Sequence, residues 1–285
     1  MPRSAPEERG RSQDAAAERT SIGADVVHEA IRREGEQELQ RPSSALAWSG
    51  LAAGLSMGFS LAAEAVLYAA LPDAPWRPLV AKLGYTVGFL IVVLGRQQLF
   101  TENTLTPMLP LLSRPSLAVG GNVARLWAIV LATNLIGTLA FAWLVGTTEV
   151  FEPPVRAAFG ALAADEARGG WATIFIQAVF GGWLIALMVW LLPFAEAGRI
   201  WVVLIITYVV GIGGFAHIIA GATAVFYAAV TGATTWGAAL GHYMAPTLLG
   251  NIVGGVSLVA ALNHAQVHAG GKAGTARAPS AGRVA

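Results

Sequence analysis

The sequence has no cysteine. That excludes disulfides, thiolate nucleophiles and Cys-ligated metals. Charge is scarce as well. Asp, Glu, Lys and Arg make up 12% of the 285 residues, about half the share of a soluble domain, which is roughly 25%. A net charge of +1 gives no long-range pull on nucleic acid, and no nucleic-acid partner is expected. No paired carboxylates, no nucleophile with a base at helical spacing and no His/Asp/Glu ligand cluster stand out. The chain is therefore read as neither an enzyme nor the holder of a metal or cofactor. No Gly-rich phosphate loop follows a strand, which argues against an ATP-driven pump. The first twenty residues mix acids with bases around no apolar core, so a cleaved signal peptide is not expected.

What the sequence does have is apolar length. Hydrophobic residues reach 55%, the mean hydropathy is +0.59, and there are 33 glycines. Runs long enough to cross a hydrocarbon core of roughly 30 Å recur along the chain. The first, residues 45–70, carries Gly50, Gly54 and Gly58 four apart, a ladder that suits close helix contact, with Glu64 near its far end. Further runs lie at 123–146, 171–192 and 240–262.

Two runs are interrupted. Residues 79–112 begin apolar, then gather Arg96, Gln97, Gln98, Thr101, Glu102, Asn103 and Thr104, followed by Pro107 and Pro110. Pro107 has no N–H for the helix ladder and would clash with the carbonyl of Asn103. Residues 200–230 are interrupted by Gly211, Gly213, Gly214, His217 and Gly221. A helix broken at membrane depth frees backbone polar groups that lipid cannot satisfy. Such a break survives only inside protein or beside a wet cavity. Interrupted segments at corresponding places in two halves point to a transport site near the midplane. The expected fold is an all-α membrane protein with six spans in two inverted three-span halves, the second and fifth spans broken.

An even number of spans puts both termini on one side. Arg32, Arg33, Arg41, Arg114, Arg125, Arg199, Lys272, Arg277 and Arg283 would share that side, against Arg77, Arg156 and Arg168 opposite. The bias makes both termini cytoplasmic. Residues 1–44 read as a cytoplasmic N-terminal tail. Ile22, Val26, Val27 and Ile31 give it a short amphipathic helix over 21–40, taken as solvated rather than lying on the bundle. Residues 45–262 form the six-span channel domain, and 147–170 are its longest loop. Residues 263–285, polar and rich in Gly and Ala, read as a disordered cytoplasmic tail.

His217 is the first site candidate, being the one His well inside an expected span, since His28, His242, His264 and His268 lie in tails or at the end of a run. Burial disfavours a charged ring. An arriving anion would favour the protonated form, so the ring could hand the anion a proton or offset its Coulomb cost. The plainer alternative is a His bonded to a backbone carbonyl of the break. Thr101 is second: its hydroxyl can donate to a substrate oxygen or to His217, or merely satisfy a freed carbonyl.

The segments LFTENTLTP at 99–107 and FAHIIAGATAVF at 215–226 resemble the two signature breaks of the formate/nitrite transporter family. The resemblance covers roughly residues 45–262 and matches a branch that carries Glu-Asn after Leu-Phe-Thr. It implies that Thr101 and His217 face each other across a central site. It also implies apolar constrictions, to which Tyr85, Phe89 and Leu99 would contribute; Phe100 flanks Thr101 and Phe215 would pack under the histidine, with ordinary helix packing the plainer alternative for all five. Glu102, Asn103 and Arg168 become candidates for the pore mouths. A homopentamer with one pore per protomer in a bacterial inner membrane follows from the family, as does a small monovalent weak-acid anion as substrate. Two departures bear on the substrate. Gly182 stands where the family has an asparagine. Asp165, Glu166 and Arg168 stand where it carries an anion-attracting lysine. An aquaporin-like pore for a neutral solute and a non-conducting membrane scaffold are the alternatives.

Overall fold

The computed structural model describes residues 23–267, all of them helical or in connections between helices. The helices are α1 (Ala24–Gln40), α2 (Ser43–Ala70), α3 (Arg77–Leu94), α4 (Met108–Ser113), α5 (Leu117–Thr147), α6 (Pro153–Glu166), α7 (Trp171–Leu191), α8 (Arg199–Ile212), α9 (Ile218–Val230) and α10 (Ala238–Val267). Five of them, α2, α3, α5, α7 and α10, are long and apolar enough to cross a bilayer. The short helices α8 and α9 together supply the sixth crossing, interrupted between Ile212 and Ile218.

The two halves repeat one packing scheme. α2 lies against α3 and α5; α7 lies against α8 and α10; α3 and α8 join the halves. At the matched seams the backbones approach closely, without the large side chains that would hold them apart. A Cβ placed on Gly54 would meet the carbonyl oxygen of Asn134 on α5. A Cβ on Gly182 would meet the carbonyl oxygen of Asn251 on α10. Gly137 sits against the Leu51 carbonyl and Gly254 against the Val179 carbonyl in the same paired fashion. The repeat hidden in the sequence is therefore legible in what the glycines touch. Position 182 excludes an asparagine because it is a helix–helix contact.

Three expectations for the flanks need correction. The amphipathic helix does not stand in solvent: His28, Ile31, Gly35 and Leu39 of α1 are buried, and α1 packs on α4. Arg125 of α5 donates to the carbonyls of Leu39 (2.8 Å) and Arg41 (3.2 Å) and so grips the end of α1. Its apolar stripe had a partner that the sequence order did not reveal. The 147–170 loop contains α6, started by Pro153-Pro154 at its first turn. The C-terminal tail is still helical through Val267, and its remainder lies outside the described residues, as do Ile22 and residues before it.

The seams give a stability test. Gly54→Val and Gly182→Val should each lower the melting temperature of the detergent-solubilised protein clearly, because a carbonyl blocks the new side chain. Gly120→Ala, where nothing lies within 4 Å, should leave it equal or raise it, by up to about 1 kcal/mol of helix propensity.

Candidate functional site

Both breaks are built from the same backbone motif. α3 ends at Leu94, Arg96 takes a left-handed φ of 51°, and the amide of Gln97 bonds back to the Val92 carbonyl at 3.0 Å. α8 ends at Ile212, Gly214 takes a φ of 61°, and the amide of Phe215 bonds back to the Val210 carbonyl at 3.1 Å. Each is a Schellman-type stop, which satisfies orphan carbonyls at a helix end. Gly214 adopts that φ freely; Arg96 does so at a steric cost of about 1–2 kcal/mol.

An asparagine then holds each extended crossing. Asn134 accepts from the Phe100 amide (2.9 Å) and donates to the carbonyls of Gln98 (2.9 Å) and Gly50 (2.7 Å). Asn251 accepts from the Ile218 amide (2.8 Å) and donates to the carbonyls of Ala216 (2.9 Å) and Ala178 (2.8 Å). In this register Leu99 is the counterpart of His217. Both asparagines are fully buried, so each supplies the pairing that water would give elsewhere.

Thr101 and His217 meet between the breaks. Thr101 Oγ1 lies 2.8 Å from His217 Nε2, and both residues are wholly buried. His217 is also the N-cap of α9: its Nδ1 accepts from the Ala220 amide at 3.1 Å. An amide can only donate, so Nδ1 carries no proton. The neutral ring therefore carries its proton on Nε2 and donates it to the Thr101 oxygen. The Thr101 hydroxyl proton is left to point elsewhere. A second proton on the ring would have to displace the Ala220 amide.

Phe89 packs edge-on against His217 with ring centroids 5.0 Å apart, and Tyr85 lies 5.4 Å from Phe89. Leu99 is fully buried at the first break. Phe100 turns towards α5, edge-on to Trp127 at 5.7 Å. Phe215 lies against Phe180 of α7 at 5.3 Å.

A cavity opens on each side of this centre. The first, about 590 Å³, lies on the α1 face. Arg33, Arg41, Arg96 and Arg199 line it together with Glu34, Glu38 and Glu102. Gln98 donates to Glu38 at 2.8 Å, tying α1 to the break. Asn103 reaches this cavity but is occupied: its side-chain amide donates to Gln98 Oε1 (2.9 Å) and the Leu99 carbonyl (3.2 Å), while its backbone carbonyl accepts from Trp127 (2.8 Å). The second cavity, about 480 Å³, lies on the α6 face and is lined in part by Lys82, Tyr85, Asp165, Glu166, Arg168 and Phe215. Arg168 is exposed and bonded to Asp165 at 3.0 Å. Lys82 forms a buried ion pair with Glu64 at 2.6 Å. Tyr243 donates to Glu166.

The sequence profile described as Formate/nitrite transporter matches residues 25–265. The chain belongs to the formate/nitrite transporter family. It is 40% identical over 260 residues to "Inner membrane protein YfdC" of Escherichia coli (strain K12), across 91% of this chain and 84% of that one. Among solved structures it resembles an "FNT family ion channel" (TM-score 0.68, 18% identity, 84% of this chain and 96% of that one). It also resembles a "Pentameric formate channel with formate bound" (TM-score 0.64, 19% identity, 84% and 99%). At such identities these likenesses concern the fold.

The residues gathered at this candidate site of a formate/nitrite transporter family member are only partly legible in the sequence. Thr101 and His217 stood out. Asn134 and Asn251 were visible as polar residues within apolar runs, but their role needed the breaks folded against them. Lys82 lay unremarked within an apolar helix; its partner Glu64 is 18 residues earlier on the neighbouring helix.

The cap can be separated from the Thr101 contact. His217→Asn can still accept from the Ala220 amide, whereas His217→Phe cannot. The Phe variant should lose hydrogen-exchange protection at Ala220 and about 1 kcal/mol more stability than the Asn variant.

Proposed function

We propose that this protein is a channel or secondary transporter for a small monovalent weak-acid anion of the formate or nitrite type. The observation that carries the reading is the buried Thr101–His217 pair, joined at 2.8 Å between two helix breaks and flanked by a cavity on each face. His217 donates to the Thr101 oxygen and so turns the Thr101 proton towards a passing oxygen of the cargo. The aromatic wall of Phe89 and Tyr85 excludes water, so that single donor counts for more than it would in solution. Proton linkage fits a weak acid, because a neutral species avoids most of the cost of carrying charge through a low-dielectric pore. The formate bound in the structural neighbour supports the size and charge of the cargo.

The same neighbour's pentameric state supports a homopentamer, and a central pair formed within a single chain supports one pore per protomer. The relative's name and the five long apolar helices support a multi-pass protein of the bacterial inner membrane. The Lys and Arg bias supports cytoplasmic termini, which makes the α1 face the inner one. A neutral small solute is the second reading. It is favoured by the second cavity, where Asp165 and Glu166, backed by Glu64, face Lys82 and Arg168.

Flux in proteoliposomes decides. Thr101→Val and His217→Phe should each cut formate or nitrite flux by roughly tenfold or more, the worth of a buried hydrogen bond to a charged group, while Thr101→Ser stays near the native rate. Unchanged flux in Thr101→Val would remove the donor from the pathway. Glycerol moving as fast as formate would favour the neutral-solute reading.

A further inference from the structure

Glu102 is the group near the centre that neither packing nor pairing explains. It follows Thr101 directly and begins a single 3₁₀ turn, Glu102–Thr104. Its side chain lines the α1-face cavity, and its Oε1 is buried without a hydrogen-bond partner among the described residues. The ion pairs formed by the described residues do not include it. A buried carboxylate left without a cation is costly, and a neutral carboxylic acid is far less so. In the register of the asparagine clamps its counterpart in the second break is Ala220, which has no side chain to match. The two breaks therefore differ in this functional group as well as in Leu99 against His217.

His217 cannot supply a net proton to the cargo without losing a contact. Its Nδ1 holds the Ala220 amide, and giving up the proton on Nε2 would leave an anionic ring. Some other acid has to serve if a proton travels with the anion.

We propose that Glu102 is that acid: it exchanges a proton with the anion beside Thr101 on the α1 face, so that cargo leaves or enters there as the neutral weak acid. This deepens the anion reading above and rests on it. The O–H bond of the Glu102 carboxyl breaks as an O–H bond forms on the cargo. The resulting carboxylate regains its proton from a hydronium ion of the bulk solution on that face, which reaches it through the open 590 Å³ cavity. The charged groups facing that exchange are Glu34 and Glu38 with Arg33 and Arg41 from α1, Arg96 from the end of α3 and Arg199 from the start of α8. The acids favour reprotonation and the guanidinium groups favour the departing carboxylate.

The test uses the full chain in proteoliposomes under a formate gradient, with an internal pH dye and a clamped membrane potential. Leakage through protein-free vesicles is subtracted. The native protein is expected to carry a proton with each formate and little net charge. Glu102→Gln should lower flux by at least about tenfold and carry what remains as charge, and Glu102→Asp should recover flux to within about threefold together with the proton. A structural role for Glu102 would leave the proton-to-formate ratio of the surviving flux unchanged. The proposal is overturned if the native protein moves formate as bare charge, a measurement that needs no variant. It is also overturned if Glu102→Gln keeps the native flux and proton ratio. Native protein that moves no formate above empty vesicles would instead overturn the anion reading itself, and this inference with it.

Discussion

A polar backbone in lipid must find its partners inside the protein, and everything at the centre of this molecule depends on how that demand is met. Breaking two spans frees amides and carbonyls where no water is at hand. Each break closes its upstream helix with the same backward hydrogen bond, to Val92 in one half and Val210 in the other. Each is then held by one asparagine making three bonds, Asn134 or Asn251. A freed buried group left unpaired costs about 1–3 kcal/mol, so losing one asparagine would unbalance three. The close glycine seams at Gly54 and Gly182 bring the asparagine-bearing helices within reach. Helix packing and site geometry are thus one constraint.

The clamps also divide the chemistry. They fix equivalent backbone in both halves, yet the side chains they present are unlike. The first crossing presents Leu99 and leads to Thr101 and Glu102. The second presents His217, which caps α9 with one nitrogen and reaches Thr101 with the other. The symmetry of the scaffold gives a central position, and the residues on its two sides are unlike. The charged cavities continue that asymmetry, with guanidinium groups and carboxyls around α1 on one face and the Lys82–Glu64 pair on the other.

Much of this was legible in the residues themselves. Apolar length marked the spans, Pro107 marked one break, and the glycines around His217 marked the other. The pairing of Thr101 with His217, 116 residues apart, came from the family resemblance and not from spacing. What stayed hidden depended on tertiary approach. The two halves share little sequence, because the repeat is carried by backbone contacts: Gly50 answers to Ala178, and Arg96 to Gly214. A polar residue in an apolar run gives no sign of which carbonyls it will meet, so Asn134 and Asn251 passed as ordinary. The burial of α1 was missed because its stripe of Ile31 and Leu39 finds its partners on segments far along the chain.

The most direct test is a high-resolution structure of the full chain in a lipid environment with formate present. The cargo should lie between the two breaks, with an oxygen within about 3 Å of the Thr101 hydroxyl, a normal hydrogen-bond reach, and with the His217–Ala220 cap intact. Formate found only elsewhere, with packed protein filling the space around Thr101 and His217, would contradict a pathway through that pair.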